Sequence, residues 1–237
     1  MSKFTNALQR QADYKIDTIV AANGEEIDFI FFAHASFALS TAKYIIYIDP
    51  VMVFAPYDTL PKGDLVVVTH SHYDHLDAKA IDAVKGVDMP IICDKTSADI
   101  LEREVLIMSH GSQVKPLDGV KVEGVAAYNT SPDCLQFHPK DREDCGYILT
   151  IGGTRIYISG DGEDTPEMRG VQNIDIAFLA ANQPYTMTVE QAISVVKDIR
   201  PRIFYPYHTG CVDEITDVEA LSAGLEGVCE VRIRDME

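Results

Sequence analysis

Short runs of β-branched and aromatic residues recur along the whole chain, separated by polar and turn-forming residues. Runs of roughly four to eight such residues, bounded by turn residues, are typical of β-strands. The pattern predicts strands over residues 15–20, 26–33, 44–48, 65–69, 90–93, 120–127, 146–151, 155–159, 174–180, 202–205 and 228–233. The strands are densest in the first half of the chain, whereas strands and helices alternate later.

Apolar residues also recur with helical spacing between some of these runs. The clearest helix begins at Thr188, which forms a capping-box pair with Gln191. Its apolar positions follow at i, i+3, i+4 and i+7, and they are Val189, Ala192, Ile193 and Val196. Further helices are predicted over 77–85, 97–104 and 217–225. We therefore expect two sheets packed face to face with helices outside, in a single α/β domain over residues 1–237.

The amino-acid composition limits the classes of binding partner and the cellular location that we expect for the protein. Hydrophobic residues make up 46% and charged residues 24% of the 237 residues, which is ordinary for a globular protein. The net charge of −17 disfavours nucleic acid, which is normally bound by a basic surface. The five cysteines are odd in number and lack C-x-x-C spacing, so we expect reduced thiols. No apolar run resembles a signal peptide or a membrane span, and we expect a cytoplasmic protein.

The candidate chemistry lies directly after the apolar run 65–69. His70, His72, Asp74 and His75 fall within six residues there. His70 and His72 alternate along an extended segment, so both can point to one cation. Asp74 and His75 project differently, which suits a second cation. Mixed imidazole and carboxylate ligands predict Zn²⁺ above all, with Mn²⁺ or Fe²⁺ as alternatives.

This H-x-H-x-D-H motif after a hydrophobic strand resembles the metallo-β-lactamase fold superfamily of metal-dependent hydrolases. The resemblance extends to further segments, namely His34-Ala-Ser-Phe, Tyr47-Ile-Asp49-Pro50, Ala127-Tyr-Asn129, Phe137-His138-Pro139-Lys140, Tyr157-Ile-Ser-Gly160-Asp161, Tyr185-Thr-Met187-Thr188 and Pro206-Tyr-His208. These segments look like the branch that holds ascorbate-phosphate lactonase-like and phospholipase-like members. The resemblance implies a four-layer αββα sandwich of two mixed sheets flanked by helices, with metals at one rim.

The resemblance also implies the division of the ligands. His70 and His72 hold the first metal, whereas Asp74, His75 and His208 hold the second, and the Asp161 carboxylate bridges two zinc ions. On sequence alone, Asp161 can instead be a turn or N-cap residue, and His208 a loop histidine.

The third histidine of the first site is missing from its usual place. Many superfamily members carry a histidine where this chain has Asn129. His138 lies nine residues further on and can fold back to complete the site, or it can be a packing residue of its loop. If neither side chain serves, a single metal remains.

The predicted activity is hydrolysis of an ester, lactone or phosphodiester bond of a small molecule by a metal-bound hydroxide, with Asp74 orienting or deprotonating the attacking water. His34, Asn129 and Tyr185 are candidate substrate-binding residues. One alternative is a non-catalytic or regulatory module with the same fold. A redox di-iron protein is disfavoured, because that class usually has a carboxylate where His72 stands.

Overall fold

A computed structural model describes residues 1–7, 14–210 and 215–236, and within them the strands form two seven-stranded sheets. The first sheet contains β1 (Lys15–Val20), β2 (Glu26–Ala33), β3 (Ser36–Ser40), β4 (Ile45–Ile48), β5 (Leu65–Val67), β6 (Ile91–Cys93) and β7 (Leu106–Ile107). The second contains β8 (Gln113–Leu117), β9 (Val120–Ala126), β10 (Cys145–Ile151), β11 (Thr154–Ile158), β12 (Ile176–Ala180), β13 (Ile203–Tyr207) and β14 (Glu230–Val231).

Both sheets follow the same plan. Strands β1 to β4 and strands β8 to β11 are antiparallel meanders. The strands from β4 to β7 and from β11 to β14 are parallel neighbours. Because parallel strands need crossover connections, most of the helices lie in this part of each sheet. The helices are α1 (Lys3–Ala7), α2 (Ala78–Val84), α3 (Lys95–Leu101), α4 (Pro166–Arg169), α5 (Val189–Ile199) and α6 (Val218–Gly224).

Three hydrophobic cores separate four layers. The central core lies between the sheets, where Phe37 of β3 stacks on Phe178 of β12 with ring centroids 4.5 Å apart. Tyr205 of β13 stacks on the same Phe178 ring at 4.7 Å. A second core joins the outer face of the first sheet to α1, α2 and α3, and a third joins the second sheet to α4, α5 and α6. The predicted αββα sandwich of mixed sheets is therefore confirmed.

The observed elements differ from the predicted ones mainly where strands are short or polar. Strand β3 was not predicted, because serines stand at both ends of Ser36–Ser40, although all five residues are buried. Strands β7 and β8 and helices α1 and α4 were also missed. The last strand is shorter than predicted, since β14 covers only Glu230–Val231. The predicted capping box of α5 is present, with Thr188 and Gln191 bonded reciprocally.

Two expectations from composition can be compared with the described residues. Cys93, Cys134, Cys145 and Cys229 are free thiols, and Cys211 lies outside the described residues. No helix in the described part of the chain is long and apolar enough to cross a bilayer.

Candidate metal centre

All seven side chains predicted as metal ligands lie together at one rim of the sandwich. The loop after β5 supplies His70, His72, Asp74 and His75, and three residues from the second sheet complete the set. Those three are Asp161 after β11, His208 after β13, and His138 in the β9–β10 loop. The parallel strands β5, β11 and β13 thus end at the same rim and bring distant segments of the chain together.

The ligand atoms form overlapping groups, in each of which they lie within 4.8 Å of one another. One group contains His70, His72 and His138; another contains His34, Asp74, His75 and His208; a third contains His70, His75 and Asp161. Asp161 stands between the first two groups, because its Oδ2 atom lies 3.9, 3.4, 3.7 and 3.1 Å from the Nε2 atoms of His70, His75, His138 and His208. His34 was predicted only as a substrate contact, yet its Nε2 also lies 3.2 Å from Asp74 Oδ2.

Buried nitrogens without hydrogen-bond partners indicate that this cluster suits a cation. His70 Nε2, His75 Nε2 and both ring nitrogens of His208 are buried and unpartnered, as is Asp161 Oδ1. Buried polar atoms are nearly always hydrogen-bonded, so such a concentration needs an explanation. Imidazole nitrogens and a carboxylate that converge from several sides are the donor set of a zinc-type site. The residues present therefore fit the metal that the fold implies.

Asp49 and Thr69 fix the tautomers of two of these histidines. Asp49 follows β4, is fully buried, and its Oδ2 atom accepts a hydrogen bond from His75 Nδ1 at 2.8 Å. The same Oδ2 accepts from the Thr69 hydroxyl at 2.7 Å. Because Thr69 has donated its only hydroxyl hydrogen, it accepts from His70 Nδ1 at 3.1 Å. In their neutral forms both histidines then direct an Nε2 lone pair into the cluster, as metal ligands require.

Asp49 belongs to the Tyr47-Ile-Asp49-Pro50 segment, whose resemblance to the superfamily assigns it no role. A signal was available, since Asp49 follows the parallel strand β4 just as Asp161 follows the equivalent strand β11 of the second sheet. A carboxylate shortly after a strand with a buried, apolar carboxyl end is the shared feature. We infer that Asp49 is a positioning residue rather than a ligand, because its carboxylate contacts His75 on the side remote from Asp161.

The loop that carries His138 is held by its own polar contacts. The backbone N–H of Asn129 donates to the His138 carbonyl oxygen at 2.8 Å, and the Asn129 amide donates to the carbonyls of Cys134 and Tyr185 at 2.9 Å each. The buried Glu163 carboxylate accepts the next N–H, that of Thr130, at 2.7 Å. His138, rather than Asn129, therefore joins the candidate ligands.

Arg142 and Asp144 border the first group. Arg142 donates to both oxygens of the buried Asp144 carboxylate, and Asp144 Oδ2 lies 3.4 Å from His138 Nδ1. Arg142 Nη1 also lies 2.7 Å from His72 Nε2. A cation held by this nitrogen of His72 would have to displace the arginine, so the first group is less prepared for a metal than the second.

Several residues of the rim have a left-handed backbone conformation. His34, Asp49 and His208 have φ values of 57°, 42° and 49°, and each follows a strand. Such values are uncommon for residues other than glycine, and they concentrate at functional sites. Gly160 has φ of 63°, and a Cβ there would lie 3.1 Å from the Cys145 carbonyl oxygen. A glycine directly before Asp161 therefore allows a backbone conformation and a close approach to Cys145 that a side chain would oppose.

Burial and neighbouring charges set the protonation of the cluster. Burial lowers the pKa of His70 well below its usual value, and His75 adds to that shift. Burial also lowers the pKa of His72 to about 4. Burial alone would raise the pKa of Asp161, but His208 and His75 outweigh it and hold that pKa well below its usual range. At neutral pH His70 and His72 are therefore neutral and Asp161 is ionised, which are the forms that bind cations. Burial opposes it, but the Asp161 carboxylate raises the pKa of His75 well above its usual value and the pKa of His208 to about 9, so a cation would displace a proton from each of these two histidines.

A cavity of about 330 Å³ opens over the cluster. It is lined by His34, His72, Tyr73, Asp74, Phe137, His138, Asp161, Asn182, Tyr185 and His208. Two of the three predicted substrate contacts, His34 and Tyr185, are among these residues. Asn129 is not, because its amide is turned toward the loop backbone behind the cavity. Tyr73, Phe137 and Asn182 were not predicted, and their place becomes evident only when the loops are folded.

Comparison with known proteins supports the same assignment. Residues 28–208 match the family model described as the beta-lactamase superfamily domain. The UPF0173 metal-dependent hydrolase of Symbiobacterium thermophilum is 30% identical over 200 residues, covering 76% of this chain and 83% of the relative. A crystal structure from Parabacteroides distasonis, also named a metal-dependent hydrolase, is 41% identical with a TM-score of 0.89, covering 94% of this chain and all of that one.

A more distant structure agrees in fold. Igni18, a metallo hydrolase from the archaeon Ignicoccus hospitalis, has a TM-score of 0.72 at 23% identity, covering 89% of this chain and 95% of that one. At that identity the likeness concerns the fold alone. The match of the family model over most of the chain is the stronger finding. The chain belongs to the metallo-β-lactamase superfamily of metal-dependent hydrolases.

Proposed function

We propose that this protein hydrolyses an ester, lactone or phosphodiester bond of a small molecule at two zinc ions held by the rim cluster. The observation that carries the proposal is the convergence of buried, unpartnered imidazole nitrogens on the Asp161 carboxylate. The small volume of the cavity above them favours a small-molecule substrate.

The grouping of the side chains supports an assignment of the candidate ligands to two cations. In this proposal His70, His72 and His138 hold one cation, and Asp74, His75 and His208 hold the other. Asp161 lies between the groups and serves both. Imidazole-rich ligand sets of this kind favour zinc, although Mn²⁺ and Fe²⁺ accept the same donors.

A divalent cation in either group would lower the pKa of a bound water molecule and polarise the bond to be cleaved. The protein's own contribution is to orient the reactants and to move the proton. Asp74 is suited to this task, because its side chain lines the cavity and is 21% exposed. His34 holds the Asp74 carboxylate through the 3.2 Å contact. The contacts of Asp74 with His208, 3.7 Å away, and with His34 outweigh burial and lower the pKa of Asp74, so its carboxylate can orient a water molecule.

The experiment compares zinc content and hydrolysis in the wild type and in two variants, His72→Ala and Asp161→Ala. Zinc would be measured by inductively coupled plasma mass spectrometry, and hydrolysis with a panel of esters, lactones and phosphodiesters. We expect both variants to lose zinc and to lose at least about a hundredfold in kcat/KM, with unchanged circular dichroism.

His110→Ala is the matched control, because His110 is an exposed histidine outside the cluster. Its zinc content and activity are expected to equal those of the wild type. Full activity at unchanged zinc content in His72→Ala or Asp161→Ala would refute the proposal. Stoichiometric zinc binding without hydrolysis of any substrate in the wild type would favour the alternative, a regulatory metal-binding module.

A further inference from the structure

The walls of the cavity are aromatic above the candidate ligands. Phe137 and Tyr185 meet edge to face, with ring centroids 4.9 Å apart. Tyr73 stands at the mouth of the cavity and is 85% exposed. Large aromatic side chains that remain partly exposed beside a polar cluster offer a surface for a flat apolar group.

The same walls hold no permanently charged cation among the described residues, because none of the side chains that line the cavity is a lysine or an arginine. Arg142 reaches His72 at 2.7 Å behind this wall, but its guanidinium is bonded to Asp144, and Lys140 is bonded to Tyr128 and Glu167. Phosphate and carboxylate groups of ligands are usually held by arginine, lysine or helix N-termini. The net charge of −17 adds a long-range field that repels anions.

The charge of bound cations would lie at the floor of the cavity, among the candidate ligands. There it would attract the reacting carbonyl or phosphoryl group of any substrate. The remainder of the substrate faces Phe137, Tyr185 and Tyr73, where a second negative charge would meet no partner. The walls therefore distinguish uncharged from anionic substrates through contacts with the part of the substrate that does not react.

We propose, on the basis of the hydrolase function above, that the substrate is a small uncharged ester or lactone that bears a flat apolar group. That group lies against Phe137 and Tyr185 and beneath Tyr73. The bond between the carbonyl carbon and its ester oxygen breaks, water supplies the new oxygen, and the leaving oxygen takes up a proton. No other reactant is required.

The test measures kcat/KM of the zinc-loaded protein for four acetate esters. These are phenyl acetate, ethyl acetate, the anionic 4-acetoxybenzoate and the cationic acetylcholine. We expect phenyl acetate to exceed 4-acetoxybenzoate at least about tenfold, although the two leaving groups are similar. Phe137→Ala should lower kcat/KM for phenyl acetate about tenfold and that for ethyl acetate less than about twofold.

A charge added at the mouth gives an independent readout. Tyr73→Arg should raise kcat/KM for 4-acetoxybenzoate about tenfold relative to the wild type, because it supplies the missing cation. Tyr73 is exposed, so the substitution leaves the core intact. Val87→Arg is the matched control, because Val87 is 94% exposed and lies in the α2–β6 loop, away from the lining residues. Val87→Arg should leave the ratio of kcat/KM for phenyl acetate to that for 4-acetoxybenzoate unchanged.

The outcomes separate the two proposals. If kcat/KM for 4-acetoxybenzoate or acetylcholine equals or exceeds that for phenyl acetate, the proposed substrate class is wrong, whereas the proposed hydrolase function stands. A Phe137→Ala variant that loses activity equally on phenyl acetate and ethyl acetate leads to the same conclusion. Absence of hydrolysis of every ester and lactone by the zinc-loaded wild type overturns the proposed function and this inference with it.

Discussion

Replacing Asp49 with asparagine should weaken metal binding without touching any candidate ligand. The carboxylate accepts three hydrogen bonds, from the Thr69 N–H at 2.8 Å, the Thr69 hydroxyl at 2.7 Å and His75 Nδ1 at 2.8 Å. All three residues are fully buried. An amide has the same shape but carries an acceptor on one side and a donor on the other. In one orientation its NH₂ meets the Thr69 N–H, and in the other it meets His75 Nδ1–H.

The size of the effect follows from these contacts. Hydrogen bonds to a charged group contribute about 1.5–3 kcal/mol each, and a buried donor left unpaired adds its desolvation cost. Loss of one such bond and weakening of the others should lower the free energy of unfolding by about 2–4 kcal/mol. For a chain of this length the melting temperature should fall by roughly 4–16 °C. A His75 ring freed to take the other tautomer would turn an N–H into the cluster, and we expect zinc affinity to fall ten- to a hundredfold.

Zinc affinity can be measured by competition with a chromophoric chelator, and stability by thermal melts of the metal-free and zinc-loaded protein. Asp58→Asn is the matched control, since Asp58 is exposed in a 3₁₀ turn outside the site. An Asp49→Asn variant with the zinc affinity and melting temperature of the wild type would show that the tautomer argument is wrong.

Three further changes test other parts of the structure. Asp144→Asn should lower the affinity of the weaker zinc site about tenfold, because it weakens the carboxylate contact that orients His138 through Nδ1, and chelator competition that leaves both sites unchanged would contradict this. Thr188→Ala removes the capping box of α5 and should cost about 1 kcal/mol in urea denaturation, whereas Thr188→Ser should be close to neutral. Asp17→Asn should destabilise the protein by about 1–2 kcal/mol at pH 7, because Asp17 accepts hydrogen bonds from Tyr205 and Arg234. Burial alone would raise the pKa of Asp17, but these hydrogen bonds outweigh it and lower that pKa. The stabilisation by Asp17 is therefore present above the pKa of the unfolded chain and is lost as the pH falls through the pKa of the folded protein. A difference in melting temperature between the wild type and Asp17→Asn that is as large at pH 2.5 as at pH 7 would refute this prediction.

Local sequence was sufficient for the parts of the site that local geometry determines. The spacing of His70, His72, Asp74 and His75 after an apolar strand places four donors in one loop, whatever the rest of the chain does. His138 is different, because its loop must return to the rim, and that return depends on contacts with Asn129. No periodicity in the sequence encodes such a tertiary contact.

The fold showed the same division between local and tertiary information. Apolar strands buried on both faces, such as β12 and β13, were evident from their runs of hydrophobic residues. Strand β3 was missed because Ser36 and Ser40 look like turn residues, whereas their hydroxyls donate to the carbonyl oxygens of Asp49 and Tyr44 inside the protein. Strand β8 was missed because its residues are half-buried or exposed at a sheet edge.

The candidate ligands are divided between the two halves of the sandwich, four from the first sheet and three from the second. A cation held jointly by both sets would act as a cross-link, so its departure would require the halves to loosen. Metal exchange should then be slow and steeply dependent on temperature, in the manner of an unfolding reaction rather than of release from a surface loop.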